Sequence, residues 1–404
     1  MLIQIAWRNI WRNKVRSLIV IISIMVGLWA GTFIMGYGTG MINQRIEDAI
    51  DNEISHFQIH HPQFEEDYDA KYIIPSGAEI ITDLRQNEEI IAVTSRVISF
   101  GMVQSAKNSS GGKYVGIDPE SENTVTHLAD HIVEGAYLSS NEKNKILIGR
   151  KLQEKLKVKL NSKIVLTCQD TAGNIVSGAF KVKGIYAMYN TGIEKVNIYM
   201  HHKDLADLLA MNGSVHEIAG LVQNPQQLDM FLAGLKKYDS TLIEDWTTIA
   251  PELALMIESM DEYLVIFIGI ILLALAFVII NTMLMAVLER YKEIGMLMGI
   301  GMNKGRVFTM IVFETLMLVF VAVPFGLLAA YLLIEYLGTA GMDLSGMYAE
   351  GYSEFGFKSI IYPELERIYY IQIMIMVVIA AILSSLLPAM TAIRLNPVEA
   401  IRKI

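Results

Sequence analysis

The run LVIFIGIILLALAFVIINTMLMAVL (Leu264–Leu288) and the seven residues after it, ERYKEIG (Glu289–Gly295), decide how the rest of the chain is read. The run carries no charge and is long enough to cross a hydrocarbon core, which takes about 20 apolar residues. A second apolar run starts near Val307 and passes Pro324 to reach Leu333. Two such spans joined by a short charged segment make a membrane hairpin. Arg290, Lys292, Lys304 and Arg306 give its tip an excess of positive charge, which places the tip in the cytoplasm. Ile294, Met296, Leu297, Met298 and Ile300 are apolar residues that a solvated loop does not need. They predict a short amphipathic helix that either docks on a soluble partner or lies on the membrane surface.

Working outward, runs from Ser17 to Met35 and from Tyr369 to Leu387 also qualify as spans. The chain has 404 residues, 53% of them hydrophobic, which is too apolar for a soluble protein and too charged for membrane throughout. The expected fold is membrane α-helical, with four transmembrane helices and a large α+β extracytoplasmic domain inserted between helices 1 and 2. Its expected segments are an elbow helix over 1–16, spans over 17–40, 264–288, 307–336 and 369–391, and stalk helices over 41–55 and 251–263. The α+β domain takes 56–250, a coupling segment 289–306, an outer loop 337–368 and a cytoplasmic tail 392–404.

Arg8, Arg12, Lys14 and Arg16 precede the first span, and Arg394, Arg402 and Lys403 follow the fourth. Both termini are therefore expected on the cytoplasmic side. The net charge of −9 then falls on the inserted domain, which argues against nucleic acid as a partner. No small-residue cleavage site follows the first span, so it reads as an uncleaved anchor. The lone Cys168 excludes an intrachain disulfide. Trp7 and Trp11 beside Arg8 and Arg12 suit an interfacial elbow helix, with a simple extension of the first span as the alternative.

Gly27, Gly31, Gly36 and Gly40 recur every four or five residues in the first span and allow close helix packing. Beyond it the apolar period continues through Ile42, Ile46 and Ile50. Before the second span, Leu253, Ile257 and Met260 form a matching stripe after Pro251. Two such helices would pack into a stalk that carries movement between the tip and the outer domain. Within that domain strands are expected at 56–60, 91–106, 113–117, 163–169, 175–186, 195–200 and 217–222, with helices at 149–156, 203–209 and 226–238. Gly111-Gly112 and Ala172-Gly173-Asn174 read as hairpin turns, and a lobe boundary is expected near Gly135.

The residues assemble no catalytic constellation, and no metal site is expected. His60-His61 and His201-His202 read as surface imidazoles, since neighbours in a strand point to opposite faces. Ser110-Gly111-Gly112-Lys113 lacks the glycine offset and the following hydroxyl of a phosphate loop. Any nucleotide must be bound by another chain. Glu314 is an ionisable group in an apolar span: a functional acid, a partner for a neighbouring helix, or a protonated carboxyl.

The segment Glu289-Arg290-Tyr291-Lys292-Glu293-Ile294-Gly295, the helix after it through Met298 to Gly301, and the early Glu314 resemble the MacB/FtsX-like family of ABC transporter permeases. Pro388-Ala389, Ala392 and Pro397-Val398-Glu399-Ala400-Ile401-Arg402 are similar to that family's terminal pattern. Ala6-Trp7-Arg8-Asn9-Ile10-Trp11-Arg12-Asn13-Lys14 is similar to its lipoprotein-releasing members. The resemblance implies an ATPase contact through Glu289, Arg290, Glu293, Ile294, Gly295, Leu297 and Met298. It also implies no cofactor on this chain, with ATP and magnesium on a cytoplasmic ABC ATPase present in two copies. The further implied partners are a second permease, identical or related, a lipoprotein substrate, a periplasmic carrier and membrane lipids, all at a bacterial inner membrane. An efflux pump for peptides or drugs, and a device that switches a periplasmic partner, are the alternatives within the same family.

Overall fold

In the computed structural model, which describes residues 7–8, 11–12 and 14–394 except Asn141, Asn212, Lys236 and Asp239, the four apolar runs are four helices. They span Lys14–Ala49, Pro251–Glu289, Lys304–Ala340 and Arg367–Ile393, each long and apolar enough to cross a bilayer. Their ends follow from local chemistry. Pro251 opens the second helix, where its missing N–H is no loss. The Asn303 side chain accepts from the Gly305 N–H to cap the third, and Gly341, at φ +75°, ends it by donating to Leu337 O. The first helix runs on through one π turn, Ile50–Ile54.

The chain divides into two compact units. The helical unit comprises residues up to Ile42, then Ile257–Asp343, and Ile360 onward. Its core joins Val20, Ile24 and Leu28 of the first helix to Leu275 and Ile279 of the second, Leu318 and Ala322 of the third, and Val377 and Ala381 of the fourth. The outward residues are equally apolar: Phe267, Leu273, Phe277, Phe320 and Phe325 are all more than half exposed. An apolar exterior on a helical bundle is the pattern that lipid requires and water penalises.

Glycine sets the spacing within this bundle. A Cβ on Gly27 would lie 2.8 Å from Leu275, and one on Gly31 2.7 Å from Ile271, both on the second helix. One on Gly36 would lie 2.8 Å from Ile334 of the third helix. At Gly40 it would meet backbone, the Tyr362 carbonyl and, at 3.0 Å, Pro363 Cα. Side chains can yield, whereas backbone cannot. Gly40→Ala is therefore expected to destabilise the bundle by about 1–3 kcal/mol, while Gly38→Ala, with nothing within 4 Å, is expected to be neutral or slightly stabilising. Thermal unfolding of both variants in detergent checks this, and equal effects would show that Gly40 packs no closer than Gly38.

The second unit, Asn43–Met256 with Leu344–Ser359, is α/β. Among the described residues ten strands form one sheet: β1 (Phe57–His60), β2 (Ile90–Gln104), β3 (Ser109–Ile117), β4 (Ile132–Gly135), β5 (Lys145–Gly149), β6 (Lys163–Gln169), β7 (Ile175–Tyr186), β8 (Asn197–His201), β9 (Glu217–Val222) and β10 (Leu242–Asp245). Their order is β10-β1-β9-β2-β3-β8-β5-β7-β4, with β6 laid on β2 and β7. The long β2 joins two apolar cores. One gathers Val97, Tyr114, Leu166 and Phe180, the other Phe57, Ile80, Leu84 and Phe231.

Several expectations change here. Gly111 and Gly112 lie inside β3, paired with Met102 and Gly101. The turn falls earlier, where Ser105 N donates to Asn108 O at 2.9 Å. The glycine at Gly101 serves a close approach, because a Cβ there would strike the Thr167 carbonyl of β6. Gly135 ends β4, which pairs with β7 in the one sheet, so the sheet does not break there. The strand expected from Lys195 starts at Asn197, since Asn190 caps a helix over Thr191–Val196. The expected outer loop is ordered. Met342–Asp343 and Ile360–Ile361 pair as two short strands around a helix, Ser345–Glu354, and Leu344–Ser359 belongs to the α/β unit.

The stalk residues do not form one buried stripe. Ile46, Ile50 and Leu253 are buried, Ile42 and Met260 are half-buried, and Ile257 is 41% exposed. Ile257 lies on the same helix face as Leu253, Leu264 and Ile268, yet the described residues leave it 41% exposed. His60 and His201 are buried rather than exposed, because β1 and β8 lie inside the domain with both faces covered.

Candidate functional site

The tip of the hairpin is built from a nine-residue helix, Tyr291–Gly299, between the second and third apolar helices. Gly301, at φ +105°, makes the turn out of it, where Met302 N donates to Leu297 O at 3.0 Å. The helix is amphipathic. Ile294, 2% exposed, and Gly295 face the bundle, while Met296 is 49%, Leu297 36% and Ile300 87% exposed. Lys292 is exposed and Met298 half-buried.

An ion-pair lattice holds this helix to the bundle. Arg290 NH1 donates to both oxygens of Glu314, at 3.1 and 3.0 Å, and Arg290 Nε donates to Glu293 at 3.3 Å. Arg12 NH2 donates to both Glu293 oxygens at 2.7 Å, and Arg16 pairs with Glu289. Three guanidinium groups thus meet three carboxylates. Arg12, foremost, and Arg290 hold the Glu293 carboxyl below the usual carboxylate range. A cavity of about 230 Å³ lies among Arg12, Arg16, Glu289, Arg290 and Glu314.

The lattice revises the roles read from the sequence. Glu314, 7% exposed, pairs with Arg290, the residue between the second helix and the tip helix, so it is neither isolated nor free. Arg290, Ile294 and Gly295 were expected to touch a partner, yet all three face inward. A guanidinium near a buried carboxylate turns toward it because an unpaired charge there costs several kcal/mol. The surface offered outward is Lys292, Met296, Leu297 and Ile300, beside the half-exposed carboxylates of Glu289 and Glu293. Arg12 and Arg16 enter the site unannounced by spacing, since their partners lie far away in sequence. The terminal motif from Pro397 to Arg402 lies outside the described residues.

A second buried charge cluster sits in the α/β unit. The register places Arg96 of β2 opposite Glu217 of β9, and Glu217 opposite His60 of β1, so the three share one rung and one face. Arg96 donates to Glu122 at 2.8 Å and to Glu217 at 2.5 Å, and Thr94 and Thr126 donate to Glu122 at 3.0 and 3.1 Å. Arg96, Glu122 and Glu217 are each 6% exposed or less. Burial alone would lower the His60 imidazole, but Glu217, Glu244 and Glu65 outweigh it and lift it to about 9. The sequence carried a signal for this cluster that composition hides: Gln58 and His60, then Thr94 and Arg96, are polar residues at alternate positions in largely apolar strands.

Two families match the chain. The FtsX-like permease C-terminal family matches residues 265–397, and the MacB-like periplasmic core domain family matches residues 17–238. An uncharacterized ABC transporter permease of Methanocaldococcus jannaschii is 22% identical over 420 residues, covering 99% of this chain and 97% of that protein. Among solved structures, the periplasmic region of MacB from Actinobacillus actinomycetemcomitans shares 13% identity, covering 52% of this chain and 98% of its own, with a TM-score of 0.37. The extracellular domain of the noncanonic ABC-type transporter YknZ from Gram-positive bacteria also shares 13% identity, covering 47% and 99%, with a TM-score of 0.34.

Proposed function

The chain belongs to the MacB/FtsX type of ABC transporter permeases, and from that footing we propose that it couples ATP hydrolysis on a separate subunit to work outside a membrane. Subunits of this type are generally non-catalytic, and the family implies an ABC ATPase partner. The supporting observation is the tip helix. It offers Met296, Leu297 and Ile300 outward while Arg290, Glu293 and Glu314 tie it to three other segments of the bundle. An exposed apolar face on a helix so anchored passes a push from a docked partner into the bundle instead of bending alone. The positive charge around the tip supports a cytoplasmic side for this surface and for both termini.

The work we assign to the α/β domain is release of lipoproteins from the outer leaflet of an inner membrane, with ATP and magnesium held on two copies of the ATPase and two permeases acting together. Each acyl methylene taken from lipid costs about 0.8 kcal/mol, so extraction needs an external energy source. A two-state helical assembly biased by nucleotide in a partner supplies that source without moving substrate across the bilayer. A carrier outside the membrane would receive the released lipoprotein.

Ile300→Asp combined with Met296→Asp is expected to abolish co-purification of the ATPase while the chain keeps its unfolding temperature, because both side chains face outward. Retained ATPase would remove the docking role of this face. Mass spectrometry of the gently purified complex tests the substrate. Acylated protein is expected; an outer-membrane channel with no acylated protein would favour efflux, and a wall hydrolase or receptor would favour a switching role.

A further inference from the structure

The cluster on β1, β9 and β2 leaves one buried imidazole nitrogen without a hydrogen bond. His60 is 1% exposed, and its Nε2 lies 3.3 Å from Glu217 Oε2. A carboxylate there accepts the Nε2 hydrogen, and a cation arriving on the other side would displace the Nδ1 hydrogen and take that lone pair. Among the described residues Nδ1 has no hydrogen-bond partner. It faces Glu65 Oε1 at 3.7 Å and Glu244 Oε2 at 3.8 Å, and the Glu244 oxygen is likewise buried and unpartnered. Those separations are too long for hydrogen bonds. They suit donors around a shared cation: at bond lengths of about 2.1 Å, tetrahedral donors lie roughly 3.4 Å apart. The three donor atoms all lie within 4.8 Å of one another.

The topology explains how three distant segments converge. β1 ends at His60, and the turn that follows carries Glu65 back over it; Phe64, between them, stacks on the His60 ring at 5.9 Å. β10 pairs with β1 so that Glu244 opposes Gln58, two residues from His60 on the same face. The charge balance points the same way. Glu65, Glu122, Glu217 and Glu244 stand against Arg96 and Lys113, a surplus of negative charge that a dication would neutralise. Glu217 also supplies what metal-binding histidines commonly have, a carboxylate on the other ring nitrogen that fixes the tautomer and aims the lone pair. Glu65, whose side chain is 38% exposed, stands at the rim and gives a cation a way in.

We propose that His60, Glu65 and Glu244 ligate one divalent cation of the borderline class selected by mixed imidazole and carboxylate donors, with zinc its readiest probe. Glu217 is a positioning residue there, holding the ring without touching the ion. The bound cation would clamp the turn after β1 to β10, the edge strand whose chain runs on into the second apolar helix at Pro251.

The test uses the full-length chain in detergent, free of any histidine tag and stripped with chelator, titrated with zinc against a chromophoric competitor. One equivalent is expected to bind, with X-ray absorption showing nitrogen and oxygen donors including a single imidazole. Glu65→Gln, at an exposed position that should not disturb folding, and Glu244→Gln are each expected to weaken binding by about tenfold or more. His60→Gln should abolish it, and His61→Gln should leave it unchanged. Absence of stoichiometric binding by the wild-type chain would overturn the proposal. So would wild-type affinity in both glutamate variants, or loss of binding in His61→Gln. Circular dichroism of each variant separates a lost ligand from a lost fold, and no step depends on an ATPase.

Discussion

Arg290→Ala is expected to destabilise the helical unit by about 3–5 kcal/mol, the usual result of stripping the counter-charge from a buried ion pair. Arg290 donates to both oxygens of Glu314, which is 7% exposed in an apolar bundle, and also to Glu293. Removing the guanidinium leaves Glu314 to carry an unpaired charge or take up a proton, and either course gives up the pairing. Glu293 keeps Arg12 and suffers less. Adding Glu314→Gln to Arg290→Ala removes the orphaned charge and is expected to restore much of the stability. It should not restore coupling, because the link from the second helix to the third is gone. Thermal unfolding in detergent reads the first effect, and the dependence of ATP hydrolysis on substrate in reconstituted complex reads the second. A single variant as stable as wild type would show that the pair holds nothing together.

The α/β domain should respond as strongly to Arg96→Ala. One guanidinium there satisfies Glu122 and Glu217, and all three groups are almost fully buried. Loss of about 3–5 kcal/mol is expected, lowering the unfolding temperature of a domain of this size by on the order of 10 °C. Arg96→Lys tests whether geometry matters beyond charge. An ammonium keeps the charge but not the fork that reaches both carboxylates, so it is expected to recover only part of the loss. Full recovery by lysine would reduce the rung to a simple charge balance. Substituting Glu122 by glutamine in the alanine background should partly compensate, since Thr94 and Thr126 still donate to that position.

The hairpin was the easiest part to read and its charges were the hardest. Leu264–Leu288 reads as a span from composition alone, because lipid admits only segments whose backbone bonds are internal. The same logic gives Ile294 and Ile300 as apolar without saying which faces out. That depends on the angles at which the tip helix leaves the second helix, at Arg290, and passes into the third, at the Gly301 turn. Gly112 shows a related failure. A glycine pair is a turn signal only where the chain reverses, and here Gly101 and Gly112 face each other across paired strands.

The sequence by itself determined the four apolar helices, the inserted α/β domain and the outward-facing character of an apolar bundle, since each follows from local hydropathy, length and period. Only the tertiary structure decided which charges meet. Arg12 and Glu293, Arg290 and Glu314, or His60, Glu217 and Arg96 are distant in sequence, and a Coulomb interaction acts over a few ångströms between whichever groups the fold brings together. Hydropathy is a property of segments. Pairing is a property of register and packing, and no local pattern encodes it.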